Sequence, residues 1–165
     1  MKKLFFFIAT ISICFGIHAQ HQINSILDKQ KTYAKFVILE AIIDGNDVTD
    51  AYLENEAFLV IYESANGRLS LANVWNESQS YGSISSLNHE YIRETSNNYE
   101  TDLFTFRWSY ANTYDNKKGS CLVELLKIYK KAGIAFELRM VTGDMSVMIY
   151  KGFMEGTLNL EQYLN

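Results

Sequence analysis

The stretch DLFTFRWSYA, residues 102–111, alternates without a break: Phe104, Phe106, Trp108 and Tyr110 take every second position, and Thr105, Arg107 and Ser109 fill the gaps. A period of two belongs to an extended strand, whose successive side chains point to opposite faces. A helix would scatter these rings around its axis, so the stretch reads as a strand with one aromatic and one polar face. Full burial of one such ring stabilises by about 1.5–3 kcal/mol, so the aromatic face must meet something apolar. It is either part of a sealed core or the wall of a cavity. A core needs no further explanation, while a cavity wall fits a pocket lined mostly by apolar and aromatic groups. Arg107 lies on the opposite face and cannot anchor a ligand on that wall.

The neighbouring runs have the same character. YAKFVILEAII (33–43) is rich in β-branched and aromatic residues and stops at Asp44-Gly45, a turn signal. AFLVIYES (57–64) and RLSLANVW (68–75) flank Ala65-Asn66-Gly67, where Asn-Gly suits the positive φ values of a tight hairpin turn. Two short strands are expected at SYGSIS (80–85) and EYIRET (90–95), and a loop at Asp115–Gly119 closes the aromatic run. SCLVELLKIYKK (120–131) also fits a helical period through Leu122, Leu125, Leu126 and Tyr129. Turn signals on both sides, and the alternation before it, favour a strand. Ala132-Gly133 and Gly143-Asp144 turn the chain into IAFELRMVT (134–142) and MSVMIYKGFMEG (145–156), leaving a short tail or terminal turn at 157–165. In the polar insertion DGNDVTDAYLENE (44–56), Asp47 or Thr49 can cap one helical turn through Tyr52 and Leu53.

Eight or nine strands joined mostly by short turns, with no helices alternating between them, predict an all-β antiparallel fold. Such a series has exposed edges unless it closes. The expected architecture is therefore an up-and-down barrel of about eight strands, whose interior is either filled by side chains or holds one small ligand. A β-sandwich is the second architecture, but it uses longer Greek-key crossings than a run of hairpins provides.

The N-terminus has a different layout. Lys2 and Lys3 precede an apolar run, Leu4–Gly16, and Ala19 offers a cleavage point before Gln20, with Ile17 at the third position before the cut. This is the pattern of a secretory signal, and 13 apolar residues are too few to span a bilayer comfortably. Cys14 follows Ile13 inside the run, not a small residue at its end, which argues against a lipid anchor. The expectation is a signal peptide at 1–19, a single domain at 20–165, and a mature protein in the periplasm or outside the cell with no membrane anchor. Ile23, Ile26 and Leu27 give the start of that domain a short amphipathic helix or a loose tail. Removing 1–19 takes two lysines and moves the formal charge from −4 to −6, without the basic face a nucleic-acid partner needs. Cys121 is then the sole cysteine, so no intramolecular disulfide is available and stability rests on the apolar core of 146 residues.

The order of leader, first strand, "DGNDVTDAYL" and a run of hairpins ending in "VMIYKGFMEGTL" resembles the small secreted lipocalin-like (calycin-type) β-barrel proteins of bacteria. The resemblance covers residues 33–156, and its one short motif is residues 44–49. The G-x-W of the lipocalin first strand has no counterpart, since the chain reads TYAKF there, so no binding residue carries over. What the resemblance implies is a barrel able to take a small apolar ligand.

The candidate cavity wall is Phe104, Phe106, Trp108 and Tyr110, with Trp75, Met140 and Met148; Met145 and Met154 fall in the same two C-terminal runs. Methionine suits a permissive pocket and an irregular core equally well. Asp44, Asn46, Asp47 and Asp50 fail the calcium-loop spacing, because Val48, Thr49 and Asn55 stand where an oxygen ligand, glycine and glutamate are required. A solvated turn is expected instead. His21 and His89 have no cysteine or second histidine at zinc-ligand spacing, and His89 and Glu90, as neighbours in a strand, point to opposite faces. Cys121 stands beside Leu122 and Val123 as a buried, inert thiol. No nucleophile motif or phosphate loop is present. The reading is therefore no enzyme, no cofactor and no metal. It is a barrel that binds a small apolar ligand or, alternatively, a ligand-free envelope or extracellular interaction module with unknown protein partners.

Overall fold

The structure is a computed structural model that describes residues 33–75, 78–93, 99–156 and 158–164; the expected signal peptide, the helix or tail at 20–32, and Asn76 and Glu77 lie outside them. The elements are β1 (Tyr33–Ile43), β2 (Asn46–Asp47), α1 (Thr49–Glu54), β3 (Phe58–Glu63), β4 (Leu69–Trp75), β5 (Ser78–Ile92), β6 (Thr101–Asn112), β7 (Lys118–Lys130), β8 (Gly133–Thr142), β9 (Val147–Gly156) and a 3₁₀ turn at Leu160–Tyr163. Every pairing is antiparallel, and sequential neighbours pair from β3 to β9. β1 pairs with β3 on one side and with β9 on the other. That last pairing closes a barrel of eight long strands and removes the open edges a sandwich would keep.

Several local expectations are corrected. The short strand at 80–85 and residues 90–92 of the one expected at 90–95 are one strand, β5, which ends at Ile92 and is interrupted by a bulge between Ser85 and Asn88 with Ser86 at φ 56°; residues 94 and 95 lie outside the described residues. The bulge, not a chain reversal, absorbs the break in hydrophobic pattern. Gly119 is not the end of the 115–119 loop. It lies inside β7, opposite Tyr110, whose ring occupies the space a Cβ would need. At the 64–68 hairpin only Gly67 takes a positive φ, so the turn is wider than a two-residue Asn-Gly turn. The N-cap of α1 is Val48, not Asp47 or Thr49: Asp47 precedes it and accepts the Thr49 N–H at 2.9 Å, while Thr49, the first helical residue, turns its Oγ1 back to accept the Ala41 N–H at 3.0 Å. Asp44 is more than a solvated turn residue. Its carboxylate accepts the Val147 N–H and the Ser146 hydroxyl, tying the β1–β2 turn to the β8–β9 turn.

The main core fills the barrel. Cross-strand register stacks it in layers, one of which runs Phe104, Leu125, Leu138, Tyr150 and Ala41. A second, smaller cluster lies on the outer face of β3 and β4, where Phe58, Val60, Tyr62, Ala72 and Val74 are buried. Burial on both faces is why FLVIYE is a continuous apolar run and not an alternating one. The 3₁₀ turn closes one mouth of the barrel with Leu158 and Leu160 in the core, and α1 closes the other with Tyr52.

Candidate functional site

β6 delivers the aromatic stripe to the barrel interior as its alternation requires. Phe104, Phe106 and Trp108 retain 0%, 3% and 2% of their exposure, Tyr110 is partly buried, and Arg107 points out. Phe106, Val123, Met140, Met148 and Ile43 form one cross-strand layer, so three of the candidate wall residues meet there. Met140 is fully buried and Met148 partly so, whereas Met145 lies in the β8–β9 turn, 75% exposed, and belongs to no wall. Trp75 stands apart at the α1 end, its ring edge-on to Tyr52 at 4.5 Å. Phe36, Leu59, Ile61, Leu71, Phe104, Leu125, Leu138, Met140 and Tyr150 have no accessible surface at all. A void large enough for water beside them would give them some, so among the described residues no water-sized void touches these side chains.

Two polar features interrupt this core. The Tyr52 and Tyr150 hydroxyls lie 2.8 Å apart and join α1 to the barrel floor. Burial pushes both phenols above the usual tyrosine range. Trp108 Nε1 is buried with no hydrogen-bond partner among the described residues, and the Asn73 side chain lies beside the Tyr52 and Tyr150 hydroxyls. Cys121, directly opposite Trp108 in the register, is buried, and desolvation raises its thiol to about 11. It is an inert core residue at neutral pH.

The densest chemistry sits at the other mouth, under the 3₁₀ turn. His89 and Asp102 project inward from β5 and β6, with His89 Nε2 2.7 Å from Asp102 Oδ1. The His89 ring stacks on Phe104 at 4.7 Å. Tyr129, from β7, donates its hydroxyl to Asp102 Oδ2. Burial, together with that bond and the Asp102 charge, keeps the Tyr129 phenol far above its usual range. Lys127 lies opposite Asp102 in the register, its ammonium 5.7 Å from the Phe104 ring centre and 5.4 Å from that of Tyr129. The 3₁₀ turn brings Glu161 to the same place, so that donor atoms of His89, Asp102 and Glu161 all lie within 4.8 Å of one another. A bond of 2.7 Å from Tyr163 to Glu63 fixes the turn to β3. An acid, an imidazole, a phenol and an ammonium at one half-buried mouth can hold a proton, an ion or a polar ligand group.

Reading His89 against Glu90 placed the latter correctly on the other face but missed the partner, which is Asp102 across the ladder. One signal was available. Asp102 has the same parity as Phe104, Phe106 and Trp108, and Lys127 has the parity of Cys121, Val123 and Leu125, so both charges had to point inward. Glu161 carries no such signal, because its position depends on how the terminal turn folds back. Comparison with protein-family models, with curated proteins and with solved structures finds no match to this chain.

Proposed function

We propose that this protein is an exported β-barrel, periplasmic or extracellular, that works through its surface as a protein-interaction module and carries no ligand in its interior. The observation behind this reading is the zero exposure of the central inward side chains, which leaves no room beside them for even a water molecule. A rigid barrel with a filled core presents its loops and outer rings in fixed positions. Tyr81, Tyr91, Tyr99 and Tyr114 are 46–77% exposed, and tyrosine is a residue interfaces favour for its large area and polar tip. The leader layout of residues 1–19 supports export. Native mass spectrometry of the purified protein should give the bare chain mass with Gln20 at its N-terminus, and a fluorescent fatty acid should show no saturable binding. A co-purifying hydrophobic compound would end this reading.

One observation favours a second reading, in which the lipocalin-like resemblance extends to binding a small apolar ligand. Trp108 Nε1 is a buried donor with no partner among the described residues, and a ligand carrying one acceptor would satisfy it. That ligand requires the Phe106–Met140–Met148 layer to open, which saturable fatty-acid binding lost in Trp108→Phe would report.

A further inference from the structure

The cluster at the C-terminal mouth has the composition and preparation of a metal site. We infer that His89, Asp102 and Glu161 form a binding site for a divalent first-row cation such as Zn²⁺, with His89 Nε2 and one oxygen from each carboxylate as ligands and the remaining coordination open to water. The donors lie within 4.8 Å of one another, and His89 and Asp102 are 2.7 Å apart. Around zinc, with bonds of about 2.1 Å, tetrahedral donors stand about 3.4 Å from each other. Reaching that geometry means widening the 2.7 Å His89–Asp102 contact by about 0.7 Å as the ion replaces the hydrogen bond, and drawing in the exposed Glu161 side chain by rotation.

Each ligand is also held by a group that is not a ligand. The Phe104 face fixes the imidazole plane. The Tyr129 hydroxyl occupies Asp102 Oδ2 and leaves Oδ1 for the ion. Asn159 caps the 3₁₀ turn by accepting the Glu161 N–H at 3.0 Å, and buried Leu160 anchors the turn. Such outer contacts orient ligands in metal sites and are worth about 10–100-fold in affinity. A mixed nitrogen and oxygen set with open positions suits zinc or manganese better than calcium, which takes oxygen alone. Two carboxylates this close need a positive charge between them. Lys127 contributes one but directs its ammonium at rings. The competing arrangement is the hydrogen bond between His89 Nε2 and Asp102 Oδ1 with no ion between them.

The two are separated by calorimetric titration of the chelator-treated protein with ZnCl₂ and MnCl₂. The site predicts one saturable ion per chain, affinity lowered in Glu161→Gln and in His89→Ala by more than the roughly 10–100-fold that loss of an outer contact costs, and no change in His21→Ala. Zn²⁺ should also raise the melting temperature of the wild type and leave that of Glu161→Gln unmoved; Glu161 is exposed, so this variant keeps its fold. No saturable uptake, or uptake unchanged in Glu161→Gln and His89→Ala, would overturn the site and leave a hydrogen-bonded structural network.

Discussion

Phe104 shows how much one position carries. It is fully buried, belongs to a cross-strand layer with Leu125, and supports the His89 ring. Phe104→Ala removes the ring and leaves a cavity that a closed barrel cannot collapse, so the expected loss is about 3–5 kcal/mol. At about 2–4 °C per kcal/mol for a chain of this size, the melting temperature should fall by about 6–20 °C. Arg107, three positions on, is exposed, and Arg107→Ala should stay within about 0.5 kcal/mol of the wild type. Equal losses for the two variants in thermal melts would mean the parity of β6 is wrong.

At the scale of the element, α1 is a plug. Six residues do not make a stable helix alone, so its place depends on Tyr52 meeting Trp75 and the Tyr150 hydroxyl. Burial raises the Tyr150 phenol first, the neighbouring Tyr52 next. The folded state therefore favours the protonated form, and that stabilisation is complete below the ordinary tyrosine value of about 10 and fades as the pH rises above it. Tyr150→Phe should cost about 1–2 kcal/mol at pH 7, because the Tyr52 hydroxyl loses its partner. Above pH 10 the variant should recover on the wild type by about 1.4 kcal/mol per pH unit. Urea unfolding at pH 7 and between pH 9 and 11.5 measures this, and parallel pH curves would count against a buried, protonated Tyr150.

The whole molecule depends on the seam between β1 and β9, strands separated by more than a hundred residues in sequence. Gly152 makes the seam possible: a Cβ there would lie 1.9 Å from the Val37 carbonyl oxygen. Gly152→Ala should destabilise by about 1–3 kcal/mol or more and, by loosening the seam, promote aggregation through the freed edges. Gly143→Ala is the control, because nothing lies within 4 Å of a Cβ at that position. Closure through so distant a contact also makes this a slow folder, in the millisecond-to-second range of barrels rich in non-local pairing.

Strand identity was legible in the sequence because alternation is a local property. Residues two apart share a face whatever the rest of the chain does, so the aromatic face of β6 could be read directly, whereas the turn expected at Ala132-Gly133 falls one residue earlier, at Lys131-Ala132, with Gly133 of β8 paired to Lys130. The same parity also turned Asp102 and Lys127 inward, although a charge in an aromatic row is easily passed over. The bulge in β5, the double burial of β3 and β4, and Gly119 making room for Tyr110 were not legible, because each depends on what a neighbouring strand places opposite. The cluster of His89, Asp102, Tyr129 and Glu161 is assembled from four elements and exists only once the barrel has closed and the terminal turn has folded over its mouth. The sequence by itself determined which side chains face inward. Whether that interior is full, and which charges meet at its rim, was decided by the diameter and register of the closed sheet, which are set by contacts between residues far apart in the chain.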